Sequence, residues 1–164
     1  MRYFSLETPV DFVYTMISSL YSITTDDLLS HFAAVANALN PGGLYFLDWY
    51  ICFQWDEPSR DYYSWTIERG EVKIFVEYLR EAVIDRVAQI GKYKCSMDVL
   101  DNGKKVRLES VEVSRVVFPQ EFLLLLEKSG KFEFIGWWNH WNFDAPVEKA
   151  EHVSRPITVI RRLQ

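Results

Sequence analysis

Cysteine is scarce in this chain of 164 residues: Cys52 and Cys95 are the only two, and neither lies in a C-x-x-C or beside a histidine at metal-ligand spacing. That argues against a disulfide framework and a cysteine-based metal site, and two free thiols are expected in a reducing cytoplasm. Long apolar runs are missing as well. None approaches the roughly 18 residues a membrane-spanning helix needs, and Met1-Arg2-Tyr3-Phe4-Ser5-Leu6-Glu7 leads into no signal-peptide core, so a soluble cytoplasmic protein without a membrane partner is expected. Clusters of positive charge are absent: 18 Lys and Arg stand against 23 Asp and Glu, net −5, spread along the chain. With no basic stripe to follow a phosphate backbone, nucleic acid is not expected as a partner. Glycine is sparse, seven in all, and no two of them form a G-x-G, so these residues hold no phosphate-cradling or dinucleotide turn.

What is present is apolar and aromatic. Hydrophobic residues make up 49% of the chain, enough to bury one full core, and a single domain with an elaboration is expected. Six tryptophans contribute to an aromatic content of 16%, with rings crowded between Trp49 and Trp65 and between Trp137 and Phe143. Such rings either fill a core or line a hydrophobic substrate pocket, and composition alone leaves both readings open.

Patterning supplies the elements. Val10 to Ile17 is almost continuously β-branched or aromatic, as in a parallel strand covered on both faces. Thr24-Thr25-Asp26-Asp27 offers a hydroxyl cap with carboxylates in the first turn. Leu28, Phe32, Val35, Ala36 and Leu39 then form one helical stripe, with His31 on the polar side. Pro41, Gly42 and Gly43 should stop that helix and turn the chain into a second apolar strand, Leu44 to Trp49. From Tyr62 to Val117 the texture becomes alternating: Tyr93, Cys95, Met97 and Val99 interleave with Lys92, Lys94, Ser96 and Asp98, one face dry and one wet. Arg69-Gly70 and Asp101-Asn102-Gly103-Lys104 read as hairpin turns, Val83 to Ile90 as a separate strand, and a change of parity near Ser110 as a bulge. Beyond Pro119 a short apolar helix ends at Gly130, and Phe132 to Trp138 and Ile157 to Ile160 close the chain as strands.

In that order these pieces resemble the C-terminal half of a class I S-adenosylmethionine-dependent methyltransferase of the small-molecule branch, which carries an antiparallel sheet after its fifth strand. The residues that carry the likeness are Asp11-Phe12-Val13, Leu39-Asn40-Pro41-Gly42-Gly43, Pro119-Gln120-Glu121-Phe122, Ser129-Gly130-Lys131-Phe132 and Thr158-Val159-Ile160-Arg161-Arg162. The resemblance implies an α/β fold: a partial Rossmann-like sheet, strands four to seven with two helices, in residues 1–61 and 118–164, and an antiparallel insertion in residues 62–117. It implies S-adenosylmethionine as cofactor and a small molecule as methyl acceptor. Met1 and Arg2 would match the loop beside the adenine, and Thr15, Met16 and Ser18 the methionine side. Asp48 and Tyr21 would border the pocket, and His140 is either a general base or a hydrogen-bonded structural residue. The glycine-rich first turn and the ribose carboxylate of the family have no counterpart here, so activity of the isolated chain is in doubt.

The same resemblance has an oligomeric consequence. Without the family's first three strands, Val10 to Ile17 becomes an open edge, and both helices cover one face of the sheet. A homodimer through that edge or through the bare face is therefore expected. The alternative to a methyltransferase-related protein is a non-catalytic binding or assembly protein that kept the fold.

Overall fold

A computed structural model describes residues 3–20, 24–49, 51–53 and 62–164. In chain order the elements are strand β1 (Val10–Thr15), helix α1 (Thr25–Ala38), strands β2 (Leu39–Leu47), β3 (Tyr62–Arg69), β4 (Val72–Asp85), β5 (Ile90–Asp101) and β6 (Lys104–Arg115), helix α2 (Pro119–Ser129), and strands β7 (Phe132–Asn139) and β8 (Pro156–Arg162). They divide between two compact units, Met1–Gln54 with Val116–Gln164, and Trp55–Arg115. No helix of the described residues is long and apolar enough to cross a membrane.

The first unit is α/β. Its sheet has the order β1-β2-β8-β7, with β1 and β2 parallel and β8 antiparallel to both its neighbours. Helix α1 starts as its composition dictates: the Thr24 hydroxyl accepts the Asp27 N–H at 3.1 Å and the Asp27 carboxylate accepts the Thr24 N–H at 3.3 Å. Its stripe, Leu28, Phe32, Val35 and Ala36, is buried against the sheet and α2, where Phe32 meets Phe122 and Phe132 edge-on. His31 corrects the sequence reading. It is buried, not solvated, because α1 packs against both the sheet and α2 and so buries a wider arc than its apolar stripe. Pro119 opens α2 and Gly130, at φ 60°, ends it.

Pro41-Gly42-Gly43 does not separate helix from strand as expected. The strand begins at Leu39, and the segment bulges: Val10 pairs with Leu39, but Phe12 already pairs with Leu44. A Cβ on Gly43 would stand 2.8 Å from the Asn40 carbonyl oxygen and 3.1 Å from that of Asp11, so only glycine lets these backbones approach. The strand ends at Leu47, short of Trp49.

β1 is not covered on both faces. Val13 and Thr15 turn toward the core, whereas Phe12 and Tyr14 are 49% and 59% exposed, since β1 is the sheet edge and the helices occupy one side only. The opposite side is partly covered by the segment after β7: Trp141 stacks on Phe46, and Phe143 lies edge-on to both Phe46 and Trp138.

The second unit is one antiparallel sheet, β3-β4-β5-β6. The Asn102-Gly103 turn has φ 46° and 78°, as a primed hairpin requires. Two expectations are corrected. Residues 83–90 are not a strand of their own, because β4 continues to Asp85, whose carboxylate then accepts the Val87 and Ala88 N–H groups in a tight turn. Nor is there a bulge near Ser110, since β5 and β6 pair without interruption from Ile90↔Arg115 to Asp101↔Lys104. The irregularities lie between β4 and β5, at Arg80/Ala82 and Val83/Asp85. With register kept, Val111 and Val113 fall on the face opposite Val106 and Leu108.

Candidate functional site

In an open α/β sheet, ligands gather beyond the carboxyl ends of the parallel strands. Here those ends belong to β1 and β2, and they are tied together tightly. The Asp48 N–H donates to the Thr15 carbonyl and the Ser18 N–H to the Asp48 carbonyl, both at 2.8 Å. Between them the chain turns through Ile17 and Ser18, at φ 54° and 50°. Two consecutive non-glycine residues in the left-handed region are unusual, and for β-branched Ile17 the conformation is strained.

The strain is held by Asp48. The residue is 3% exposed, and its side chain accepts the Ile17 N–H at 2.9 Å. Arg155 grips the same carboxylate with both ends of its fork, Nε donating to Oδ1 at 3.0 Å and the terminal Nη2 to Oδ2. Burial by itself would raise the Asp48 pKa; the Arg155 hydrogen bond, the Ile17 N–H and the guanidinium charge outweigh it and hold the carboxyl below its usual range. Arg155 is itself placed by Asn139, whose side-chain oxygen accepts the Ser154 N–H at 3.2 Å and the Arg155 N–H at 3.4 Å, and whose amide donates to the His152 carbonyl at 2.8 Å.

A second chain of contacts runs inward. The Thr15 hydroxyl is 2.6 Å from the Tyr45 phenol, which is 2.8 Å from Nε2 of His31, all three residues being buried. Burial drives the Tyr45 pKa far above its ordinary value, against a smaller opposing effect of the Thr15 hydrogen bond.

The expected cofactor contacts are thus placed unequally. Met16 is exposed and Ser18 partly exposed on the turn, while the Thr15 hydroxyl faces the core. Met1 and Arg2, like Tyr21, lie outside the described residues. Asp48 is neither a free pocket carboxylate nor a solvated one. His140 has φ 58°, and its Nε2 is 2.8 Å from the Ser154 hydroxyl, so it belongs to the loop that carries Arg155. Sequence reasoning missed Arg155 and the Ile17 strain, and the buried contacts of His31 have no local signal. Among the described residues at this end of the sheet, Asp48 and His31 are both engaged in these contacts, so neither stands free as a base.

No family profile and no curated protein sequence matches this chain. Solved structures do. A S-adenosylmethionine-dependent methyltransferase from Clostridium acetobutylicum superposes with a TM-score of 0.74 at 18% identity, covering 99% of this chain and 62% of its own. DesVI of Streptomyces venezuelae gives 0.73 at 17% identity, covering 97% and 61%. The fold is part of a methyltransferase fold. CalS10, an amino pentose methyltransferase from Micromonospora echinaspora solved with S-adenosylmethionine bound, gives 0.70 at 15% identity, covering 98% and 61%. The chain therefore spans less than two thirds of the length of the methyltransferases it matches.

Met16 and Ser18, expected on the methionine side of that cofactor, reach the surface here. The exposed Met16–Ser18 turn lies where the parallel strands end, and its strained backbone is fixed in advance of any ligand. For the adenosine end these 164 residues offer no glycine-rich turn.

Proposed function

We propose that this chain forms the acceptor-side portion of a S-adenosylmethionine-dependent methyltransferase acting on a small molecule. The observation that carries the reading is the strained Ile17–Ser18 turn, fixed by the Asp48–Arg155 pair at the carboxyl ends of β1 and β2, in a sheet that matches the methyltransferase fold over nearly the whole chain. Bound there, the cofactor would supply an already activated sulfonium methyl. The task left to this chain is alignment: Met16 and Ser18 border the methionine side, and Asp48 keeps their backbone from relaxing. A glycine-rich turn must come from other residues for the adenosine to be held.

Calorimetric titration with S-adenosylmethionine tests this, on the 164 residues and on the same residues extended through any reading frame upstream of Met1. Weak binding by the former and micromolar binding by the latter is the expected result. No binding by either folded protein overturns it.

A second reading, a non-catalytic binding or assembly protein acting as a homodimer, is favoured by β1. That strand pairs only with β2 among the described residues and exposes Phe12 and Tyr14, so its edge or its bare face could serve as the contact. Micromolar binding of S-adenosylmethionine by the 164 residues alone excludes this alternative.

A further inference from the structure

Arg155 closes on Asp48 from outside the two strands that carry the turn. β8 pairs with β2 from Thr158 to Arg161, and among the described residues the chain before Thr158 has no such pairing with β2. It is held from β7 instead, where Pro156 pairs with Asn139 at the strand's last residue. Both backbone groups of Arg155 are engaged there. Its N–H donates to Asn139 Oδ1 at 3.4 Å, and its carbonyl accepts the His140 N–H at 2.8 Å.

Asn139 fastens more than Arg155. The same oxygen accepts the Ser154 N–H at 3.2 Å, its side-chain amide donates to the His152 carbonyl at 2.8 Å, and its backbone N–H donates to the Ala145 carbonyl at 2.9 Å. This use of one side chain calls for a donor and an acceptor together: aspartate would accept without donating, and leucine, similar in size, would do neither. His140 turns the chain at φ 58°, a conformation in which His is enriched, and its Nε2 lies 2.8 Å from the Ser154 hydroxyl. The segment from His140 to Arg155 therefore has its two ends tied together beside Asn139, as in an Ω-loop.

We propose that Asn139 is a positioning residue for the Met16–Ser18 turn, acting through Arg155 and Asp48 from the opposite edge of the sheet. In the order β1-β2-β8-β7 the two ends of this relay lie on the outer strands. Its links run from Asn139 to the Arg155 backbone, from the guanidinium to the Asp48 carboxylate, and from that carboxylate to the Ile17 N–H. Each link is directional. A shift of the Arg155 backbone turns its fork out of the two-point geometry, and the acceptor of the Ile17 N–H is then less firmly held. Support of this kind sets how precisely a site is preorganised, although Asn139 itself touches no ligand. Only the last step, that the turn borders the methionine side of S-adenosylmethionine, rests on the methyltransferase reading.

The competing account gives Asn139 a purely structural role, closing its own loop and adding to overall stability. Amide hydrogen exchange on the whole chain, without cofactor, separates the two. Asn139→Leu should speed exchange of the Ile17 N–H at least about tenfold more than that of the Tyr45 N–H in the buried part of β2. Asn139→Asp, which keeps the acceptor oxygen, should fall between that variant and the wild type. Asp48, followed by carboxyl NMR, should titrate closer to the ordinary carboxylate range in the Leu variant than in the wild type. Equal acceleration at Ile17 and Tyr45, or an Ile17 rate and an Asp48 titration that stay at their wild-type values, overturns the proposal. Should the Leu variant not fold, the ratio of the Ile17 and Tyr45 rates in the Asp variant decides by the same criterion. Calorimetry with S-adenosylmethionine is a separate measurement: its failure counts against the methyltransferase reading and leaves the exchange result standing.

Discussion

The Asp48 carboxylate accepts the Ile17 N–H at 2.9 Å across the carboxyl ends of two parallel strands, while Arg155 closes on it from the far end of the chain. Asp48→Asn should therefore destabilise the fold by about 1–3 kcal/mol at neutral pH, because Arg155 loses its counter-charge. The native pKa is depressed, so the stabilisation is present above the unfolded value near 4 and is lost as pH falls through the native one. Denaturant melts at pH 7 and pH 3 should show the gap between wild type and variant closing in acid. A gap of equal size at both would refute the assignment.

Ile17 is 76% exposed, so little packing depends on it, yet it holds a φ that costs a β-branched residue about 1 kcal/mol or more. Ile17→Gly is expected to be neutral to stabilising, by up to about 1 kcal/mol after glycine's greater entropy of ordering is offset. Thermal midpoints of the two proteins give the answer, and a clear drop would mean that the side chain makes contacts of its own.

Tyr45→Phe keeps the ring in its buried site and removes the hydroxyl between Thr15 and His31. Two buried polar groups lose a partner, at a cost of about 1–3 kcal/mol. With its native pKa raised, Tyr45 favours the fold below the unfolded value near 10 and ceases to as alkali ionises the unfolded chain. In an ultraviolet titration one tyrosine should stay protonated until the protein unfolds, and the variant should lack that late step.

Two neighbouring glycines should respond differently to alanine. Gly42, at φ 81°, has open space where a Cβ would go, so Gly42→Ala costs about 1 kcal/mol of backbone strain. Gly43→Ala drives a methyl into two backbone carbonyls that cannot swing aside and should cost more, about 2 kcal/mol or above. Urea midpoints ordered wild type, Gly42→Ala, Gly43→Ala would support this, and the reverse order of the variants would not.

The parts legible in sequence are those set by local period. Leu28, Phe32 and Val35 announce a helix face at i, i+4, i+7, and Asn102-Gly103 announces its hairpin, because each signal is complete within a few residues. His31 was misplaced because its polarity counted against burial, while its partner Tyr45 lies on another element. The Asp48–Arg155 pair spans most of the chain and leaves no local trace. Ser110 misled for a different reason: a change of apolar parity reads as a bulge only if one face alone is apolar, and Val111 shows that the other face tolerates apolar side chains too. Residues 83–90 read as a separate strand because the irregularities at Arg80/Ala82 and Val83/Asp85 break the alternation inside β4.

Trp141 lies flat over Phe46, ring centres 6.3 Å apart and planes within 9°, and Phe46 in turn touches Phe12. Any molecule that settles along β1 must come against this group of rings and displace water from beside the indole, which is 38% exposed. A native fluorophore is thus already installed on that side of the sheet. Subtracting the spectrum of a Trp141→Phe protein would isolate its emission from the other tryptophans and report occupancy there by colour.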